Sequence, residues 1–315
     1  MPKILLDEGD YHLEYDDYHD QLDNETRHLS HPDTTMTFRE YMDIDWQWDG
    51  DSNKEPKTDV VTGILFDQEY MVHVMIKRIR QPCRDTFERE YKLVTEHLKP
   101  HPNLVYYYPV TDQYRLLCMP RYTGSCYDLV AHGGIKFAHW AVNVYKQMLQ
   151  GVGHCHAAGV CHRDVKLENF LVDPLVMAPE PFSEDRCLIR LCDFEFAQQP
   201  ADKELLNDFP GSLYYASPEV VKGQPYDGFK SDVWSLGVCL YVMMFRGYPF
   251  GAGTDVQTAK LVAAAHLEFP RGHQYDGALI HRLRWLLTKS ANTRPTVPEI
   301  LEREHQLSLE SEEEE

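Results

Sequence analysis

Positive charge is scarce in this 315-residue chain: Lys and Arg number 31 against 50 Asp and Glu, a formal net charge of −19. A surface so acidic repels phosphate backbones and anionic lipid, which argues against nucleic-acid and membrane partners. Long apolar runs are missing as well. The longest nearly apolar stretch, 233–245, is too short to span a bilayer, and the residues after Met1-Pro2-Lys3 lack the basic-then-apolar order of a secretory leader. Cysteine is sparse. The eight thiols (Cys83, Cys118, Cys126, Cys155, Cys161, Cys187, Cys192 and Cys239) sit mostly in apolar runs, where they read as small buried hydrophobes of a reducing compartment. The expected location is therefore intracellular, cytoplasmic or nuclear. No internal repeat is visible. With 43% hydrophobic and 26% charged residues the composition is ordinary for a globular protein, and it rules out wholesale disorder, collagen and coiled coil.

The acidity belongs to the ends. Residues 1–59 hold 17 acids and 5 bases, and residues 302–315 hold 7 acids and 1 base, which leaves the middle of the chain close to neutral. Four regions follow: an acidic N-terminal extension over 1–35, a small β-rich lobe over 36–119, a larger α-helical lobe over 120–301, and an acidic tail over 302–315. Residues 1–35 mix Asp, Tyr and His with few aliphatics and read as a tail, or as a clamp laid over the domain. Short β-branched and aromatic runs over 59–79, interrupted at Asp67-Gln68-Glu69, predict two antiparallel strands. Phe87, Val94 and Leu98 recur at helical spacing with Glu90 beside them, and the pattern stops at Pro100. Residues 115–119 read as another strand. Beyond Gly133 the signals turn helical, with an amphipathic segment over 137–156 and one apolar all round over 233–245, as a central buried helix would be. Strands first and helices later predict an α+β fold with two lobes.

The chemistry is concentrated in two short stretches. Residues 162–169 read His-Arg-Asp-Val-Lys-Leu-Glu-Asn, and residues 193–194 read Asp-Phe. Together they resemble the catalytic and metal-binding loops of eukaryotic protein kinases. In the family's order stand Val74-Met75-Ile76-Lys77, Glu90, Ser217-Pro218-Glu219, a stretch from Ser231 to Gly237, and Arg294, so the resemblance covers about residues 60–301. The wording of 166–169 and 211–219 is most similar to the calmodulin-dependent and AMP-activated groups of Ser/Thr kinases.

That resemblance implies a role for each matched residue. Phosphoryl transfer is loose and in line, so the protein must position two oxygens and neutralise spreading negative charge. Asp164 would accept the proton of the substrate hydroxyl, and Lys166 would place a cation beside the γ-phosphate of ATP. Asn169 and Asp193 offer the hard oxygens that Mg²⁺ prefers. Lys77 would hold the α- and β-phosphates, oriented by an ion pair with Glu90. Residues 119–122 resemble the hinge between lobes, with Met119 at the back of the adenine pocket, the Pro120 carbonyl and the Tyr122 N–H on the adenine edge, and Leu171 under the base. Glu219 and Arg294 are expected to pair in the larger lobe, and Asp232 to anchor the catalytic loop. Glu168 hints at a basic residue in a protein substrate.

Other features point elsewhere. His154-Cys155-His156 and Cys161-His162 crowd zinc-type ligands into nine residues, although both His156 and His162 fall where kinases carry core histidines. Three positions depart from the family. The stretch that should be a glycine-rich loop reads Glu55-Pro56-Lys57-Thr58-Asp59-Val60, the alanine two residues before the lysine is Met75, and the glycine after Asp193-Phe194 is Glu195. Between Asp193 and Gly211 there is no Ser, Thr or Tyr, and Asp208 stands where related kinases present a phosphothreonine to the arginine at 163. The expected function is a protein Ser/Thr kinase that acts on protein hydroxyls without a phosphorylation switch, its acidic ends serving a regulatory partner. The competing reading is a pseudokinase, a noncatalytic scaffold.

Overall fold

The computed structural model describes residues 4–6, 58–66, 71–79, 84–108, 116–131, 138–173, 188–270 and 276–312. The two β-branched runs form strands β2 (Thr58–Phe66) and β3 (Met71–Ile79), antiparallel with Phe66 opposite Met71, so the acidic break 67–69 falls in the connection. A short strand β1 (Ile4–Leu6) pairs antiparallel with β2, and β4 (Leu116–Pro120) pairs antiparallel with β3, giving a four-stranded sheet in the order β1-β2-β3-β4. Three residues of the acidic N-terminal extension are thus part of a sheet. The rest of 1–35, the glycine-loop positions 55–57 and residues 174–186 lie outside the described residues.

Helix α1 (Arg84–Lys92) continues into a π-helical turn over Leu93–His97. Sequence spacing at 3.6 residues per turn predicts Val94 on the buried face. The wider turn, closed by Leu98 N–H donating to the Leu93 carbonyl at 2.9 Å, buries Leu93 beside the expected Leu98 and leaves Val94 half-buried. The chain divides into two compact units, Met1–Pro100 with Val105–Tyr122 and His101–Leu104 with Thr123–Glu315. The expected 119/120 boundary cuts the last pair of β4, which runs through Pro120, and the smaller unit ends two residues later.

The larger unit is mainly helical, with one small sheet of β5 (Gly124–Ser125), β6 (Phe170–Val172) and β7 (Ile189–Leu191). Among its helices are α2 (Cys126–Ala131), α3 (Ala138–Ala157), α4 (Pro218–Val221), α5 (Gly228–Phe245), α6 (Asp255–Ala264), α7 (Gly277–Leu286) and α8 (Val297–Glu312). Helix α3 buries Trp140, Val144, Met148 and Val152 at helical spacing, together with Tyr145 and Leu149 beside them. Helix α5 is buried nearly all round, begins at the Asp227 side chain, which accepts from Phe229 N–H and Lys230 N–H at 2.9 and 3.3 Å, and ends at Arg246 in the left-handed region. Gly237 lets α7 approach it: a Cβ there would lie 2.9 Å from Leu286 Cβ. Helix α8 continues across position 302, where Glu304 is buried against Arg282 of α7 at 2.5 and 2.9 Å. No helix among the described residues is long and apolar enough to cross a membrane.

Candidate active site

In the smaller unit the cation is set by strand geometry. Successive side chains alternate between sheet faces, so Met75 and Lys77 share one face of β3, with Met119 and Leu117 of β4 directly opposite them. Lys77 Nζ donates to both carboxylate oxygens of Glu90 at 3.1 Å. Glu90 is fully buried and Lys77 nearly so. Two charges in so dry a place are tolerable because each neutralises the other. The pair therefore joins β3 to α1. Met119 and Tyr122 are buried and Pro120 half-buried at the end of β4, while Met75 is half-buried.

In the larger unit one carboxylate organises the loop after α3. Asp232 of α5 accepts from His162 N–H and Arg163 N–H at 2.8 Å each and meets His156 Nε2 at 2.9 Å. The loop backbone is thereby fixed to the most buried helix of the unit. Arg163 takes φ of 69°, a left-handed conformation uncommon outside glycine, which turns the chain so that Asp164 follows on the other side. Asp164 Oδ2 accepts from Lys166 Nζ at 2.6 Å and from Asn169 Nδ2 at 3.0 Å, and the same amide nitrogen donates to the Asp164 carbonyl at 2.9 Å. Lys166 Nζ also reaches Ser212 Oγ at 3.4 Å. Asp164 is nearly buried, yet among the described residues no hydrogen bond is made to its Oδ1. With its nitrogen spent on Asp164, Asn169 has its amide oxygen left to offer, a hard donor suited to a divalent cation. Leu171, half-buried on β6, lies across from Arg190 on β7.

Strand β7 leads to Asp193, whose φ is 63°. Phe194 is buried with its ring against His162 at 4.9 Å, and His162 bridges the two loops. Its Nε2 lies 3.0 Å from the Cys192 carbonyl while Nδ1 accepts from Asp164 N–H at 3.3 Å, an arrangement that assigns the Nε2–H tautomer. Glu195 follows without a positive φ, since the left-handed residue here is Asp193. Backbone conformation at 195 therefore does not require glycine in this structure.

The expected pair between Glu219 and Arg294 forms as a fork at 2.6 and 3.0 Å, with Arg294 fully buried and its guanidinium 5.0 Å from the centre of the Trp234 ring. The five zinc-type residues go separate ways. His154 stacks on His101 at 4.7 Å, Cys155 and Cys161 are buried, and the two other histidines serve the loop as described. No group of three or more His, Cys, Asp or Glu that could hold a metal ion occurs among the described residues.

Sequence reasoning overlooked several supporting residues. Asn103 donates to the Ile189 carbonyl at 2.9 Å and accepts from Leu191 N–H at 2.9 Å, and Gln147 accepts from Ile189 N–H at 2.9 Å; these hold the strand that carries Asp193. An Asn after His101-Pro102 and a Gln on an apolar helix face were the available signals. Tyr226, whose hydroxyl accepts from Arg163 Nε at 3.0 Å, had none.

Comparison with known proteins points to one family. Residues 61–306 match the family model described as protein kinase domain. The chain is similar to serine/threonine-protein kinase GIN4 of Saccharomyces cerevisiae, 30% identical over 258 residues that make up 80% of this chain and 22% of that protein. It is 30% identical to human NUAK family SNF1-like kinase 1 over 203 residues, 64% of this chain and 29% of the relative. Against human testis-specific serine/threonine-protein kinase 3 it is 34% identical over 179 residues, 56% of this chain and 62% of the relative. The chain thus spans between about a fifth and three fifths of the length of these relatives. Two loops carried by α3, α5 and β7, a buried lysine–glutamate pair, and a match over most of its length together identify the chain as a member of the protein kinase domain family.

Proposed function

We propose that this chain is a protein Ser/Thr kinase that transfers the γ-phosphate of ATP to hydroxyl groups of proteins. The observation that carries the reading is the state of Asp164, a buried carboxylate with one oxygen bound by Lys166 and Asn169 and the other without a hydrogen bond among the described residues. Such a group is oriented to accept a proton and cannot turn away. As the substrate oxygen bonds to the γ-phosphorus, the bond from that phosphorus to ADP breaks, the electron pair leaves with ADP, and the hydroxyl proton passes to Asp164 Oδ1. Lys166 then steadies the negative charge on the transferring group, which its bond to Asp164 keeps within the same loop. Lys77, aligned by Glu90, holds the α- and β-phosphates. The Pro120 carbonyl, the Tyr122 N–H, Met119 and Leu171 serve the adenine. Asn169 and Asp193 would hold Mg²⁺, which when bound neutralises charge on the phosphates.

The substrate is read as carrying a basic residue near its Ser or Thr. Glu168 Oε2 is buried and has no hydrogen-bond partner, a costly state that an incoming Arg or Lys would relieve. One assay tests both parts: transfer of radiolabelled phosphate from ATP and Mg²⁺ to a Ser peptide with a neighbouring Arg and to its neutral counterpart. Wild-type protein is expected to label the basic peptide, Asp164→Asn to lower kcat by about 10²–10⁴-fold, and Glu168→Gln to raise KM for the basic peptide about tenfold. If wild type and Asp164→Asn label equally, or neither labels at all, the reading fails and a noncatalytic scaffold takes its place.

A further inference from the structure

We propose that Asp208 is a positioning residue: its carboxylate, bound to Arg163, keeps the segment 193–211 in order and so holds Asp164 in place, with no phosphate added to that segment. The inference rests on the transfer reading above, and it concerns how the site is kept assembled.

Arg163 is the joint. Its side chain is 2% exposed, and each of its three nitrogens is used. Nε donates to Tyr226 Oη at 3.0 Å, one terminal nitrogen donates to the Phe196 carbonyl at 3.3 Å, and the other donates to Asp208. Its own N–H is fixed on Asp232, so the backbone end cannot yield. A buried guanidinium needs a counter-charge, and the carboxylate of Asp208 supplies one. The segment reaches Asp164 directly at its far end, where Gly211 lies against both the Arg163 carbonyl and Asp164 Oδ1.

The segment itself is fastened in steps. Phe194 packs on His162, Cys161 and Gln198 exchange backbone bonds at 2.9 and 3.0 Å, and Leu206 and Tyr226 do so at 2.9 and 2.8 Å. Tyr226 therefore grips the segment with its backbone and Arg163 with its hydroxyl, and Asp208, two residues beyond Leu206, closes that ring. Gly211 then lies against the Arg163 carbonyl. No residue from 193 to 211 has a hydroxyl, and the first one that follows, Ser212, is already at Lys166. The charge that completes the ring is thus written into the sequence. Because Asp208 is 64% exposed, the attraction is open to screening by salt.

The test uses the full chain after phosphatase treatment. Amide hydrogen exchange over 197–208, measured without nucleotide or peptide, is compared among wild type, Asp208→Asn and Asp208→Glu, and peptide transfer is measured on the same samples across a series of NaCl concentrations. Expected are exchange faster by about three- to tenfold in Asp208→Asn, kcat lower by a similar factor with peptide KM little changed, substantial recovery in Asp208→Glu, and a salt dependence that is steeper in wild type than in Asp208→Asn. A purely structural loss would not flatten the salt dependence or be rescued by glutamate. The proposal is overturned if Asp208→Asn exchanges and transfers like wild type, or if phosphatase treatment abolishes wild-type transfer. Should no sample transfer phosphate while Asp208→Asn still loosens 197–208 and glutamate restores it, the clamp stands and the transfer reading falls.

Discussion

Gly211 leaves no space for a side chain beside Asp164: a Cβ placed on it would lie 2.9 Å from Asp164 Oδ1 and 2.9 Å from the Arg163 carbonyl oxygen. Its φ of 90° adds a conformation that residues with a Cβ rarely adopt. The end of the segment and the Asp164 carboxylate are therefore packed backbone against side chain, and glycine is what permits it. Replacing Gly211 with Ala is expected to destabilise the protein by about 1–3 kcal/mol and to lower kcat well beyond the loss in stability, because the methyl group displaces Asp164. Thermal denaturation and transfer kinetics on the same sample check this; equal kcat in the variant would show that the segment shifts aside without disturbing the carboxylate.

The fork between Arg294 and Glu219 makes a different prediction. Arg294 is fully buried, donates also to the carbonyls of Thr288 at 3.0 Å and Lys230 at 2.8 Å, and stands over the Trp234 ring. Removing only its partner strands a buried charge, which typically costs about 3–5 kcal/mol. Glu219→Ala should therefore lower the urea midpoint strongly. The double variant Glu219→Ala with Arg294→Met, which removes both charges, should lose less than the two single changes added together, and a urea series on the four proteins measures the difference.

Burial also controls the thiols. It pushes Cys118 up to about 12 and raises Cys155, Cys161 and Cys239 as well. At pH 8 almost no thiolate exists at these positions, so alkylation with iodoacetamide, located by peptide mass spectrometry, should leave all four unmodified until denaturant is added. The sign of the pH effect follows. Above pH 9 the unfolded thiols ionise while the folded ones hold their protons, so the folded state binds more protons and stability falls as pH rises from 9 towards 12. Buried Tyr108, raised by desolvation, pulls the same way above pH 10. A urea midpoint that stays level between pH 9 and 11 would contradict this.

Much of the architecture was legible because it depends on local pattern. The apolar run 233–245 marked the central helix, and only its start was misplaced, since the Asp227 cap adds a polar first turn at Gly228–Asp232 that no apolar periodicity signals. The face of the helix after β3 was harder to read. A π turn alters the residue spacing, and nothing in Leu93–His97 announces it. Two ion pairs were readable from motif order, Lys77 with Glu90 and Glu219 with Arg294. Supports such as Asn103 and Tyr226 were not, because their roles arise from hydrogen bonds across 86 and 63 positions of sequence, and only the folded chain makes those neighbours. Glu195 stands where the family has glycine, and the left-handed conformation in this stretch falls two residues earlier, at Asp193.

Asp232 ties two backbone amides and one imidazole with a single carboxylate, on a helix enclosed by the core. The entropy of arranging the loop that bears Asp164 is consequently surrendered once, as the chain folds, and is not lost afresh at every encounter with a ligand. On the transfer reading proposed above, binding meets a surface whose polar groups already face their work, so interaction energy from substrate contacts remains for the reacting atoms and little is diverted into putting the loop in order.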